Sequence, residues 1–217
     1  MMTPKQKLEE DFMIANAFKA KFFWNAFKAL TFNKIDGDYV EFGSHGGRTF
    51  RLAFDEIQSR GIDRHMWAFD SFQGLPKPVS PKDQHPVWQQ GAMSTHEEQF
   101  HEICQSHGIG KNQYSVISGF YDETLANMQH HEGPTNIALA YIDCDMYSST
   151  KSVMEYLRPR LKHGMIIAFD DYFCWSNTHV SGERAAFLEF EADESQWRFM
   201  RYRDYGWAGT SYVVEKV

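Results

Sequence analysis

Two hydrophobic periods alternate along the chain. Over residues 3–30 apolar side chains recur at Phe12, Ala15, Phe18 or Lys19, Phe22, Ala26 and Leu30. That is one face of a 3.6-residue period and predicts a long amphipathic helix. Phe23 and Phe27 widen the face, and Lys5, Lys7, Lys19, Lys21 and Lys28 mark the side expected to meet water. Asp36-Gly37-Asp38 then signals a turn. Beyond it, strands are expected at 39–42, 65–70, 114–117, 137–143 and 165–170, with helices at 48–58, 97–107, 121–128 and 148–161 between and after them. The runs at 137–143 and 165–170 are almost continuously apolar, as parallel strands covered on both faces are. Strand and helix alternating at this spacing predict a doubly wound α/β sheet. The chain closes on a helix at 183–194 and two strands, 197–202 and 210–217, near enough to be antiparallel neighbours. Residues 71–95 have little periodicity and many Pro, Gly, Gln and Lys, the pattern of a lid or binding loop.

Composition narrows the class. With 217 residues, 42% hydrophobic and 24% charged, the chain is expected to fold as one globular domain. A formal net charge of −7 leaves no electrostatic footprint for nucleic acid or an anionic membrane. Cys104, Cys144 and Cys174 are too scattered for a disulfide framework or a zinc knuckle, which makes a reducing compartment, the cytoplasm, the expected location. No apolar run has the length of a membrane span, and the N-terminus lacks the pattern of a secretory signal.

In open α/β sheets ligands bind beyond the carboxyl ends of the strands, so those ends are where chemistry is sought. The first strand runs into Gly43-Ser44-His45-Gly46-Gly47, where glycines admit a ligand close to the backbone and the next helix offers free N–H groups. The spacing is neither the dinucleotide fingerprint nor a phosphate loop. The second strand ends in Asp70, placed to accept from a ribose diol. Together the loop and the acid point to an adenosine site, against the plainer reading of a tight turn and a loop aspartate. The two continuous strands end in Asp143 and in Asp170-Asp171. If these strands are neighbours, their carboxylates converge and repel unless a cation sits among them. A hard divalent ion such as Mg²⁺ suits such oxygens; helix caps and turn aspartates are the alternative. Among ten histidines, His85 and His96 in or beside the long loop are placed to reach the site as proton acceptors, while His101 and the pair at 130–131 are expected to face solvent.

Five stretches carry a resemblance. They are Tyr39-Val40-Glu41-Phe42-Gly43, Phe69-Asp70-Ser71-Phe72-Gln73-Gly74-Leu75-Pro76, Gly119-Phe120-Tyr121-Asp122-Glu123-Thr124-Leu125, Ile142-Asp143-Cys144-Asp145-Met146-Tyr147-Ser148-Ser149-Thr150 and Phe169-Asp170-Asp171-Tyr172. In this order, over about 37–175, they resemble the macrocin O-methyltransferase family of class I S-adenosylmethionine-dependent methyltransferases, which act on sugar hydroxyls of macrolide antibiotics. The resemblance implies a Rossmann-like α/β fold: a seven-stranded, mostly parallel sheet with an antiparallel C-terminal strand, helices on both faces and an extra N-terminal helix. Residues 1–35 would form a lid or dimerisation segment and 36–217 the methyltransferase domain. Gly43, Ser44 and Thr49 would contact the methionine part of the cofactor, Asp70 its ribose, and Gly119, Phe120, Tyr121 and Asp122 its adenine; Glu41 and Ser71 complete that set. Asp143, Asp170 and Asp171 would bind Mg²⁺, as in the catechol-type enzymes. The lysine those enzymes carry just past the first metal aspartate is missing, its place falling near Met146, so His85 or Asp143 becomes the candidate base. The implied acceptor is a hydroxyl of a sugar or other small polyol, the implied assembly a homodimer, and no nucleic acid or membrane partner is expected. A catalytically silent S-adenosylmethionine- or nucleotide-binding module is the rival reading, and it would keep Gly43 and Asp70 without needing the metal aspartates.

Overall fold

A computed structural model describes residues 3–128 and 132–217, which leaves the histidine pair at 130–131 outside the described residues. Helix α1 (Pro4–Phe32) opens on a capping box: the Thr3 hydroxyl accepts from the Gln6 N–H and the Gln6 side chain accepts from the Thr3 N–H. There follow β1 (Asp38–Phe42), α2 (Arg48–Ser59), β2 (Met66–Asp70), α3 (Glu97–Ser106), β3 (Tyr114–Ser118) and α4 (Tyr121–Asn127). The second half comprises β4 (Ile137–Ile142), α5 (Tyr147–Leu157), β5 (Ile166–Phe169), α6 (Gly182–Asp193), β6 (Trp197–Tyr205) and β7 (Gly209–Lys216). The strands form one sheet in the order β3-β2-β1-β4-β5-β7-β6. β1 to β5 are mutually parallel, and β7 runs antiparallel to both of its neighbours. Strand order reverses between β1 and β4, the topological switch point where such sheets bind ligands.

Alternation within the strands divides the core between the two faces. Tyr39 of β1 and Leu139 and Tyr141 of β4 pack with Phe22, Phe23 and Phe27 of α1 and Phe50 of α2. Val40 and Phe42 of β1 and Ile142 of β4 pack on the other face with Val153 and Leu157 of α5 and Phe187 of α6. All six residues of β4 are buried, which explains its unbroken apolar run.

Three expectations need adjustment. The helix expected over 148–161 ends at Leu157 and tightens into a 3₁₀ turn, Arg158–Arg160, because Pro159 has no N–H to continue the ladder. The 71–95 segment is not featureless: Pro81–Asp83 forms a 3₁₀ turn with Asp83 buried. In α1 only the second half enters the core, through Phe22, Phe23, Ala26, Phe27 and Leu30, while Leu8, Phe12, Met13 and Phe18 stay exposed. Because β7 runs backwards, the turn between β6 and β7 lies at the carboxyl ends of the parallel strands, where the Phe173 N–H donates to the Ala208 carbonyl at 2.9 Å. No helix among the described residues is long and apolar enough to cross a membrane.

Candidate active site

β1, β2 and β4 end in one cleft of about 960 Å³, counting its open mouth. Its floor is fixed by close backbone approach. Gly43 has φ +92°, and a Cβ there would lie 1.8 Å from the Asp143 carbonyl oxygen, so only glycine lets β1 and β4 leave the sheet side by side. Past it, the His45 N–H donates to Asp70 Oδ2 and the Phe72 N–H to Asp70 Oδ1, each at 2.7 Å. Burial raises the Asp70 pKa, and the two backbone donors moderate that rise. Asp70 lines the cleft, and its remaining lone pairs are available to hydroxyl donors.

Of the residues expected to hold a cofactor, Gly43, Asp70, Ser71, Gly119, Phe120, Tyr121 and Asp122 line this cleft. Glu41, Ser44 and Thr49 are buried, outside its lining. Glu41 accepts from the Tyr39 hydroxyl and, at 2.9 Å, from Thr49 Oγ1, and burial pushes its pKa up to about 8. Ser44 Oγ is buried without a partner.

Beside this half lies the acid cluster. β4 and β5 are neighbours, and the Asp170 N–H donates to the Ile142 carbonyl at 2.8 Å. One carboxylate oxygen each from Asp143, Asp170 and Asp171 fall within 4.8 Å of one another. Asp145, at φ +59°, bonds to Asp171 through its side chain. Glu183, in the first turn of α6 and fully buried, accepts from the backbone N–H of Cys144 at 3.2 Å and of Asp171 at 2.9 Å, which fastens both strand exits. Desolvation and mutual repulsion raise the pKa of Asp143, Asp145, Asp171 and Glu183.

A cation answers this cluster from an unexpected place. Lys19 of α1 forms an ion pair with Asp170 Oδ2, and the Tyr141 hydroxyl donates to Asp170 Oδ1 at 2.6 Å. The sequence pattern put Lys19 on the wet side, but its side chain is only 16% exposed. Position 19 belongs to the stripe that continues through Phe22 and Ala26 into the core, and an acidic partner makes a charge tolerable there. Burial alone would lower the Lys19 pKa; Asp170 and Asp143 more than reverse this and hold it as an ammonium.

The roof of the cleft comes from the 71–95 segment through Leu75, Pro76, Lys77, Val79 and Met93. Asp83, which sequence reasoning missed, secures it. Its Oδ2 accepts from the N–H of Val79 at 2.9 Å and of Ser80 at 2.8 Å, while its Oδ1 accepts from the Ser148 N–H at 2.7 Å at the start of α5. Lys82 adds an ion pair to Glu189 of α6. At the far end, Thr95 Oγ1 meets His45 Nδ1 at 3.0 Å. The Ser80-x-x-Asp83 spacing of a capping box was the available signal.

His85 lies outside the cleft lining, half-buried, its ring stacked on Trp88 at 4.0 Å. Burial lowers its pKa. Its Nδ1 accepts from the Val87 N–H at 3.3 Å, so the neutral ring carries its proton on Nε2. Trp88 packs with Met146, next in sequence to Asp145, and with Cys174, whose thiol donates to Asp171 Oδ1 at 3.1 Å. His96 is exposed at the start of α3, whereas His101, expected in solvent, is half-buried with Nδ1 2.7 Å from the Tyr114 hydroxyl.

Comparison with known proteins settles the lineage. Residues 13–195 match the model of the macrocin-O-methyltransferase (TylF) family. The chain belongs to this family. Among curated relatives, 8-demethyl-8-(2,3-dimethoxy-alpha-L-rhamnosyl)-tetracenomycin-C 4'-O-methyltransferase of Streptomyces olivaceus is 29% identical over 147 residues, covering 64% of this chain and 54% of the relative. Mycinamicin III 3''-O-methyltransferase of Micromonospora griseorubida is 26% identical over 152 residues, covering 64% and 56%. The chain thus spans about half the length of the curated relatives it matches. Two solved structures share the fold. The O-methyltransferase NovP has a TM-score of 0.77 at 19% identity, over 92% of this chain and 80% of that one. A Bacillus cereus O-methyltransferase in complex with SAH has a TM-score of 0.61 at 16% identity, over 96% and 90%. The seven-stranded sheet with its reversed penultimate strand is therefore the class I methyltransferase architecture that the family resemblance implies.

Proposed function

We propose that this macrocin O-methyltransferase family member transfers a methyl group from S-adenosylmethionine to a hydroxyl of a sugar borne by a natural product, with a divalent cation, Mg²⁺ in the first instance, at the acid cluster. The observation that carries the reading is the joint between Gly43 and Asp143, where a cleft lined by Asp70 and by Gly119 to Asp122 opens directly beside three convergent carboxylates. Support also comes from the relatives, whose names describe methylation of glycosylated tetracenomycin and mycinamicin.

The residues fit both absent groups. Asp70 offers the ribose an acceptor fixed by two backbone bonds, and a Gly43 without Cβ leaves room for the methionine part. Asp143, Asp170 and Asp171 form an all-oxygen donor set of the kind that takes Mg²⁺. When bound, that ion supplies positive charge that acidifies an acceptor hydroxyl. Methyl transfer to oxygen releases one proton, which this chain must accept, at Asp143 in the cluster or at His85. For His85 to serve, its bond from Val87 has to open so that Nε2 is free of its proton. The roof held by Asp83 excludes water and keeps sulfonium and oxygen aligned, where much of the rate arises. The exposed apolar first half of α1 is the surface through which we expect two copies to associate.

The test supplies methyl-labelled S-adenosylmethionine to a panel of deoxysugar glycosides and nucleotide sugars, with Mg²⁺ or with EDTA. Label on a sugar oxygen only with Mg²⁺ is expected. Tight cofactor binding with no labelled product across the panel would favour a silent binding module, and full transfer in EDTA would remove the metal from the reading.

A further inference from the structure

The first half of α1 contributes no buried residue, and it presents Leu8, Phe12, Met13 and Phe18 to solvent. Away from the helix itself, its polar contacts are few. Arg48, at the start of α2, bonds Asn16 and lies over the Phe12 ring at 4.2 Å, and Lys19 reaches Asp170, 151 residues away. Lys19 is thus the only basic side chain paired with the acid cluster among the described residues, and it takes an oxygen of the very residue that would ligate a metal.

We propose that Lys19 is a positioning residue that competes with the divalent cation for Asp170, so that filling of the metal seat and docking of the first half of α1 oppose each other. The inference rests on the metal reading above. An ammonium and a dication cannot both take the Asp170 lone pairs at full strength, and within a few ångströms in a partly desolvated site their repulsion is large. Coupling of this kind is reciprocal: whatever Lys19 takes from cation affinity, the cation takes from docking of the helix. Lys19 compensates the charge of Asp170 in the metal-free protein, and cation binding releases this contact between α1 and the cluster.

Titration calorimetry with Mg²⁺ alone, without acceptor, on wild type, Lys19→Gln and Lys19→Arg tests this. Lys19→Gln is expected to bind Mg²⁺ about tenfold more tightly than wild type, since removing a like charge at this range is worth roughly one decade. Lys19→Arg, which keeps the charge, should stay near wild type. Hydrogen exchange on the wild type needs no variant: Mg²⁺ should reduce protection over residues 12–21 and leave β4 and β5 unchanged. If wild type binds Mg²⁺ and Lys19→Gln binds it equally or more weakly, or if protection over 12–21 does not fall, the competition is refuted while the metal reading stands. If neither protein binds any divalent cation, although both bind S-adenosylhomocysteine, the metal reading falls and this inference with it.

Discussion

The two halves of the site place carboxylates at equivalent strand ends and treat them in opposite ways. At β2, Asp70 is met by two backbone N–H groups, so its charge is settled by the fold before any ligand arrives. At β4 and β5, Asp143, Asp145, Asp170 and Asp171 meet chiefly one another, with relief from Lys19 and the Tyr141 hydroxyl at Asp170 and from the Cys174 thiol at Asp171. The first half suits a neutral diol, which needs an acceptor and brings no charge. The second is under-compensated and suits a cation. Position at a strand end therefore does not define a carboxylate's job; the donors around it do.

Four experiments break or sharpen this contrast. The largest effect is expected in the acid cluster. Asp143→Asn or Asp170→Asn should cut Mg²⁺-stimulated methyl transfer by at least about a hundredfold, and chelator should reproduce the loss in wild type. In metal-free buffer Asp143→Asn should melt higher than wild type, because it relieves repulsion. A lower melting temperature would mean that the cluster is already compensated. Next, Asp70→Ala should weaken S-adenosylmethionine binding by about 1.5–3 kcal/mol, the range for a hydrogen bond to a charged group, while Mg²⁺ affinity by calorimetry holds. Loss of both affinities together would show that the two halves are one electrostatic unit.

A smaller effect belongs to the roof. Asp83→Ala strips the acceptor from three backbone N–H groups, and should lower stability by about 1–3 kcal/mol and raise KM for S-adenosylmethionine severalfold with kcat less affected. Asp83→Asn, which keeps one acceptor oxygen, should fall between. Limited proteolysis within 71–95 would report the loosening directly. The last experiment reads a pH dependence at Glu41. Its pKa is raised in the fold to about 8, so the folded chain binds a proton more tightly than the unfolded one. Its contribution is full below about 4.5 and declines as pH rises to about 8. Glu41→Gln, which cannot ionise, should therefore gain a few degrees of melting temperature relative to wild type between pH 6 and pH 9. An unchanged difference across that range would mean that Glu41 is already ionised in the fold.

Much of the fold was legible because parallel strands buried on both faces write themselves as unbroken apolar runs. Ile137–Ile142 and Ile166–Phe169 stand out for that reason, and their spacing of one strand-helix-strand unit predicts that Asp143 and Asp170 are neighbours if the strands are adjacent, as they are. Lys19 was not legible in the same way. The 3.6-residue period left position 18 or 19 on the inner stripe, and a lysine there looks like an edge of the wet face until its partner, 151 residues later, is known. Asp83 and Glu183 were hidden for a related reason. Each acts by accepting backbone N–H groups, and backbone donors leave no trace in side-chain chemistry. The tautomer of His85 is likewise set by a local backbone bond, which the residue type does not reveal.

The reversed direction of β7 has a consequence for how such proteins diversify. The loops that follow β1, β2, β4 and β5 leave the sheet at the candidate site, so a change in their length is felt at a strand exit. The turn carrying Gly206, Trp207 and Ala208 is different: it reaches the same pole from a hairpin, with Trp207 at its tip 79% exposed. Ala208 ties the base of this turn to Phe173 and packs with Trp88, Met146 and Cys174, so the freedom to vary lies at the exposed Trp207. Under the proposed function, libraries aimed at altered acceptors should vary position 207 while leaving the Gly43–Asp143 joint untouched.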